Sequence, residues 1–146
     1  MARTKTRVTA VVLRGEKLLL IHRFREGKEY WIFPGGVEEG EDLETALRRE
    51  VLEETGYSFQ PDALTGIYHW TCAENGTTYL RFTFSGQVTD FDPTRKLDTG
   101  IVRATWFSME EILEKQAIHR TPLVIQCITD YLAEKNYPLD ILKYYS

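Results

Sequence analysis

Glu50, Glu53 and Glu54 stand at i, i+3 and i+4, the spacing that brings three side chains together on one side of a helix. Three bare carboxylates so close repel one another and resist ionising together. A hard divalent cation bound through oxygen removes that conflict. A helical wheel drawn at about 100° per residue from Leu43 puts Leu47, Val51 and Ala46 at roughly 40°, 80° and 300°, an ordinary apolar stripe. Glu50, Glu54 and Glu53 then fall at roughly 340°, 20° and 280°, inside or beside that stripe, while Leu52 faces away at about 180°. A merely solvated acidic face would lie on the opposite side. An isolated Glu-Glu pair is ordinarily structural, but a helix that breaks its own pattern marks a functional position. Arg49 is spaced to reach Glu53, and Glu41 at the helix start, and so to hold the carboxylates in place.

The charge distribution agrees. The 146 residues carry a net −4, yet residues 38–54 hold eight acids against two bases, so that segment is −6 and the remainder +2. The acidic balance gives no support to binding nucleic acid through its phosphates. Cys72 and Cys127 are too few for a disulfide framework and have no metal-motif spacing, so both read as reduced thiols. There is no apolar stretch long enough to span a membrane and no signal-peptide pattern, and the expectation is a cytoplasmic protein. Length and composition suit one globular domain over residues 1–146.

These acids need a scaffold. Residues 7–13 and 17–24 read as branched-rich strands joined at Arg14-Gly15-Glu16, and residues 30–33 as a short strand that Pro34-Gly35-Gly36 breaks. Residues 25–29 look loop-like. Residues 42–55 form the acidic helix, with Gly56 as its stop. Strands follow at 64–70 and 77–88 around the hairpin signal Glu74-Asn75-Gly76, then at 101–107. Ser108 and Glu111 make a capping box for a helix over 109–116, and Pro122 suits the first turn of a last helix running to about residue 135. Mixed strands and helices in this order predict an α/β (α+β) architecture, a mixed sheet between helices.

From Gly35 the chain reads Gly, five residues, Glu41, seven residues, then Arg49-Glu50-Val51-Leu52-Glu53-Glu54-Thr55-Gly56-Tyr57. This resembles the Nudix box of the MutT-like hydrolases at every polar and glycine position. Tyr57 stands where an aliphatic residue is usual, and the stretch from Pro34 to Glu41 is one residue shorter than the common form. Farther on, Tyr79-Leu80-Arg81-Phe82, Arg120-Thr121-Pro122-Leu123 and Tyr137-Pro138-Leu139 resemble the NudJ-type branch of that family.

The resemblance implies a Nudix fold and a Mg²⁺- or Mn²⁺-dependent hydrolase that cleaves a phosphoanhydride in nucleoside di- or triphosphates or related pyrophosphates. Glu50, Glu53 and Glu54 would bind metal, with a carbonyl at Gly35 or Gly36 as a further ligand. Glu41 and Arg49 would orient them, and the general base would be Glu53 or Asp98. For the substrate, Arg81 and Tyr79 alternate with Leu80 and Phe82, so Arg81 either meets phosphate or is an exposed strand charge. Trp70 either stacks a base or fills core, core being favoured. Arg23 and Arg25 are further phosphate candidates. His22, His69 and His119 have no ligand spacing. The alternatives are an ADP-ribose pyrophosphatase, an oxidised-nucleotide sanitiser, or a Nudix-fold module that binds nucleotides without turnover. Partners are expected to be small molecules, with the chain a monomer or small homo-oligomer.

Overall fold

Branched and aromatic residues build seven strands, and the computed structural model describes residues 4–37, 40–114 and 123–145. In chain order these are β1 (Thr4–Arg14), β2 (Lys17–Arg25), β3 (Lys28–Ile32), β4 (Gly35–Val37), helix α1 (Leu43–Thr55), β5 (Ser58–Thr71), β6 (Thr78–Thr89), β7 (Ile101–Ser108), α2 (Met109–Glu114) and α3 (Leu123–Leu132). The order β3-β2-β1-β6-β5 runs through the sheet, with β4 on β1 and β7 on β2. The β1–β6 pair is parallel and the other pairs are antiparallel, so the sheet is mixed as expected. Among the described residues no helix is long and apolar enough to cross a membrane.

One edge of β1 serves two partners. Arg7, Val8 and Thr9 pair with β4, whereas Leu13 and Arg14 pair with β2. The sheet therefore forks at the middle of β1, and β4 forms its margin there. Period-two alternation sends Val8, Ala10 and Val12 into one core with Ala46, Leu47 and Val51 of α1. Val11, of the opposite parity, packs with Cys127 and Ile128 of α3. Helices thus cover both faces.

The helix boundaries follow from their caps. Asp42 Oδ1 accepts from the Thr45 N–H, and Gly56 closes α1 at φ +79°, a left-handed conformation that only glycine adopts without cost. Ser108 and Glu111 form the reciprocal capping box of α2. Residues 115–116 and Pro122 lie outside the described residues.

Three sequence expectations need correction. Residues 25–29 are not a loop: β2 extends to Arg25 and β3 starts at Lys28, with Glu26 and Gly27 turning between them at positive φ. β3 does end before Pro34, at Ile32, but Gly35 and Gly36 are not part of the break, because Gly35–Val37 forms β4. The strand expected from residue 64 begins at Ser58. Pro61 is tolerated because β5 is the sheet's edge, and the pairing shifts register just after it.

Candidate active site

The second half of α1 carries its carboxylates toward β4 and the fork. Glu54 is 1% exposed, which for an acid demands partners. Its Oε1 accepts from the Gly35 N–H at 2.8 Å and its Oε2 from Arg23 Nη2 at 2.7 Å. Burial pushes its carboxyl up to about 8, while the Gly35 N–H and the Arg23 guanidinium pull the other way. Glu50 is half-buried and is also raised by burial, with Arg49 opposing. The floor under Glu50 is Gly36, where an added Cβ would meet the Glu50 carboxylate at 2.6–2.8 Å. At Gly35, φ is +152° and a Cβ would stand 2.0 Å from the Val8 carbonyl oxygen. Both glycines let β4 pass between β1 and the helix.

Arg49 ties the cluster together. Its guanidinium donates to Glu41 (Nε, 2.9 Å), to Glu50 (Nη1, 3.1 Å) and to Glu53 (Nη1, 3.5 Å). The Glu41 hydrogen bond is foremost in raising the guanidinium above its ordinary value, so Arg49 stays charged. The segment between β6 and β7 then folds under the end of α1. The Asp98 N–H donates to the Glu53 carbonyl at 3.0 Å, and the Asp92 N–H to that of Gly56 at 2.9 Å. As a result Glu50, Glu53 and Asp98 each present a carboxylate oxygen, and these lie within 4.8 Å of one another. Three hard oxygen donors in that space could hold a hard divalent cation.

The remaining candidates divide. Arg23 belongs to the cleft through Glu54, whereas the Arg25 side chain lies outside the described residues. Arg81 and Tyr79 are on the opposite face of the sheet from α1. There Arg81 Nη1 donates to Thr9 Oγ1 at 2.6 Å, and Tyr79 stacks on Trp70 with ring centroids 6.1 Å apart. Trp70, on the edge strand β5, is half-buried and belongs to neither main core cluster, contrary to the favoured expectation. His22 stacks on Trp31 at 4.2 Å and His69 is exposed. His119 lies outside the described residues. Cys127 is buried, Cys72 half-buried, and both are free thiols. Sequence reasoning did not foresee Gly36 as the floor of Glu50; the paired glycines beside a shortened loop were the signal.

Comparison with known proteins agrees with this geometry. The model of the NUDIX domain matches residues 3–126. The chain is 36% identical over 136 residues to Phosphatase NudJ of Escherichia coli K12, covering 92% of this chain and 88% of the relative. It is similar to a solved NUDIX hydrolase from Nitrosomonas europaea at 62% identity and a TM-score of 0.96, with 98% of each chain covered. A UDP-X diphosphatase structure at 21% identity and a TM-score of 0.72, covering 93% of this chain and 66% of the other, shares the fold.

Proposed function

Since the chain belongs to the NUDIX family and is a Nudix hydrolase, we propose that it cleaves a phosphoanhydride bond in nucleoside di- or triphosphates or related pyrophosphates, with Mg²⁺ or Mn²⁺ as cofactor and residues 1–146 as one catalytic domain. The observation that carries this reading is the convergence of Glu50, Glu53 and Asp98 within 4.8 Å. Phosphatase activity in the NudJ relative's name favours release of orthophosphate.

Glu50 and Glu53, with Asp98 or Glu54, would hold the ion. When bound it would neutralise phosphate oxygens and acidify a water molecule. The protein's own groups do the rest. Arg49 and Glu41 fix the carboxylates' directions, so that little is left to reorganise during reaction. Glu54 is locked by Gly35 and Arg23, which makes it a support for the cleft wall. Asp98 is exposed and next to Glu53, and it or Glu53 takes the proton from the attacking water. Arg23, at the fork, offers its remaining N–H groups to phosphate.

The test is hydrolysis of nucleoside di- and triphosphates, ADP-ribose and thiamine pyrophosphate with Mg²⁺, measuring orthophosphate and pyrophosphate separately. Metal-dependent orthophosphate release is expected, falling by about 10²–10⁴ in Glu53→Gln. Pyrophosphate with a nucleoside monophosphate would move the reading to a sanitising pyrophosphatase. Equal rates in wild type and variant on every substrate would sink the hydrolase reading in favour of a nucleotide-binding module.

A further inference from the structure

Asp98 belongs to a segment that buries little of itself. Of residues 90–100, between β6 and β7, Leu97 and Gly100 are half-buried and the others are exposed. Two backbone N–H groups of this segment reach the end of α1, Asp92 onto the Gly56 carbonyl at 2.9 Å and Asp98 onto that of Glu53 at 3.0 Å. Exposed hydrogen bonds with few apolar contacts around them open readily. Phe91 supplies the missing packing. Its ring lies on Tyr57, with centroids 4.6 Å apart and planes tilted by 34°. Tyr57 is in turn fixed from its other sides. Trp106 of β7 meets it edge-on at 5.9 Å, and the indole N–H donates to the Tyr57 hydroxyl at 3.3 Å. The Arg14 guanidinium, at the end of β1, covers both rings, 5.4 Å from the Tyr57 centroid and 4.5 Å from that of Trp106. Gly56 lets the segment come this close: a Cβ there would stand 2.9 Å from the Asp92 carbonyl oxygen and 3.5 Å from the Phe91 ring.

We propose that Tyr57 is a positioning residue: its ring clamps Phe91 and thereby holds the segment that places Asp98 beside Glu50 and Glu53. The inference rests on the hydrolase reading above and deepens it, for it gives a task to a residue that stands where an aliphatic one is usual. An aliphatic side chain would fill the space against Trp106 but would offer Phe91 no ring face. Tyr57 acts at a distance, by shortening the chain that must be closed. With Phe91 pinned, the free span leading to Asp98 starts at Asp92, next to the helix end. Released, it starts at the end of β6, and a longer span costs more entropy to bring back onto Glu53. The carboxylate of Asp98 would then spend less of its time within reach of the other two.

Amide hydrogen exchange of the metal-free protein and a double-mutant cycle with Asp98 test the clamp. Tyr57→Leu should speed exchange in peptides within 92–100 by roughly two- to tenfold, the worth of one aromatic pair, while Tyr57→Phe stays near wild type. With Mg²⁺ and a substrate that wild type hydrolyses, Asp98→Asn should lower kcat by about tenfold or more. Tyr57→Leu should lower kcat by roughly two- to tenfold alone, but by less than about twofold in the Asp98→Asn background. A merely structural role would cost the same in both. Phe91→Ala, at a ring 53% exposed, should reproduce these effects without disturbing the core. Unchanged exchange in Tyr57→Leu and Phe91→Ala, or penalties that multiply, overturns the proposal. So does Asp98→Asn with wild-type kcat, which leaves nothing to place; the hydrolase reading then stands on Glu53→Gln alone. If wild type hydrolyses no substrate, the hydrolase reading fails separately, and calorimetry with Mn²⁺ repeats the cycle. Mn²⁺ binding weakened by Tyr57→Leu only while Asp98 is intact sustains the clamp, and any other result, including no binding by wild type, refutes it.

Discussion

Strand β1 hands its residues alternately to two environments. Toward α1 it offers Val8, Ala10 and Val12, all at most 1% exposed, and the acids of that side stand on the helix. Toward α3 the same strand offers Arg7, Thr9 and Val11, facing Arg81 and Thr83 on β6. The acids are concentrated by helical spacing and held by one guanidinium, Arg49. The bases are spread over neighbouring strands, Arg7 lying over the Tyr79 ring and Arg81 donating to the Thr9 hydroxyl. The difference teaches how a small sheet carries opposite charges without letting them collapse together. The apolar layer between α1 and β1 separates the face that carries the acidic cluster from the face that carries Arg7 and Arg81.

The comparison breaks most severely at the apolar layer itself. Phe84 of β6 is fully buried against the α1 side, and Phe84→Ala is expected to cost about 3–5 kcal/mol in urea unfolding. A cost below about 1 kcal/mol would mean that this face is not the main core. Next comes the acidic end. Gly36→Ala should push the Glu50 carboxylate aside and lower kcat by roughly 10–100-fold while leaving the melting temperature nearly unchanged; unaltered kcat would show that Glu50 has room to move. The smallest effect belongs to the polar face. The Tyr68 hydroxyl donates to Asp130 and is the foremost cause holding that carboxyl below its ordinary range. A lowered folded value contributes stability above the unfolded pKa and loses it as pH falls through the folded one. Tyr68→Phe should therefore cost about 1 kcal/mol at neutral pH, and the gap from wild type should close below about pH 4. A gap of the same size at pH 3 would place the loss in packing instead.

Much of α1 was legible because the chemistry of its ends and faces is local. Asp42, Gly56 and the wheel that turns Glu50, Glu53 and Glu54 inward need only neighbours within a few turns. The Ser108–Glu111 box is of the same kind. The strand β4 was not legible, since paired glycines read as breakers. Its strand form is imposed by β1, which approaches so closely that Gly35 has no room for a side chain. Residues 58–63 were hidden by Pro61, whose place at a sheet edge is a tertiary fact. In the site, Arg49 and Glu41 were readable from spacing. Asp98 was suggested only by family resemblance, because a backbone hydrogen bond to Glu53 brings it in from a distant segment. The pairing of Arg7 with Arg81 left no trace in the sequence, for a parallel register joins residues far apart in the chain.

Arg49 also separates two events that many small metalloproteins join. Where ligands have no counter-charge of their own, folding waits for the ion, and a chelator unfolds the chain. Here a guanidinium built into the helix reaches Glu41, Glu50 and Glu53 and offsets their repulsion from within. The helix is thus free to form first and be loaded afterwards. An incoming ion has to compete with a resident cation, which moderates its affinity and makes its exchange reversible. Chelation should silence such an enzyme while its melting temperature stays close to that of the loaded form, and returning the ion should restore activity without a refolding lag.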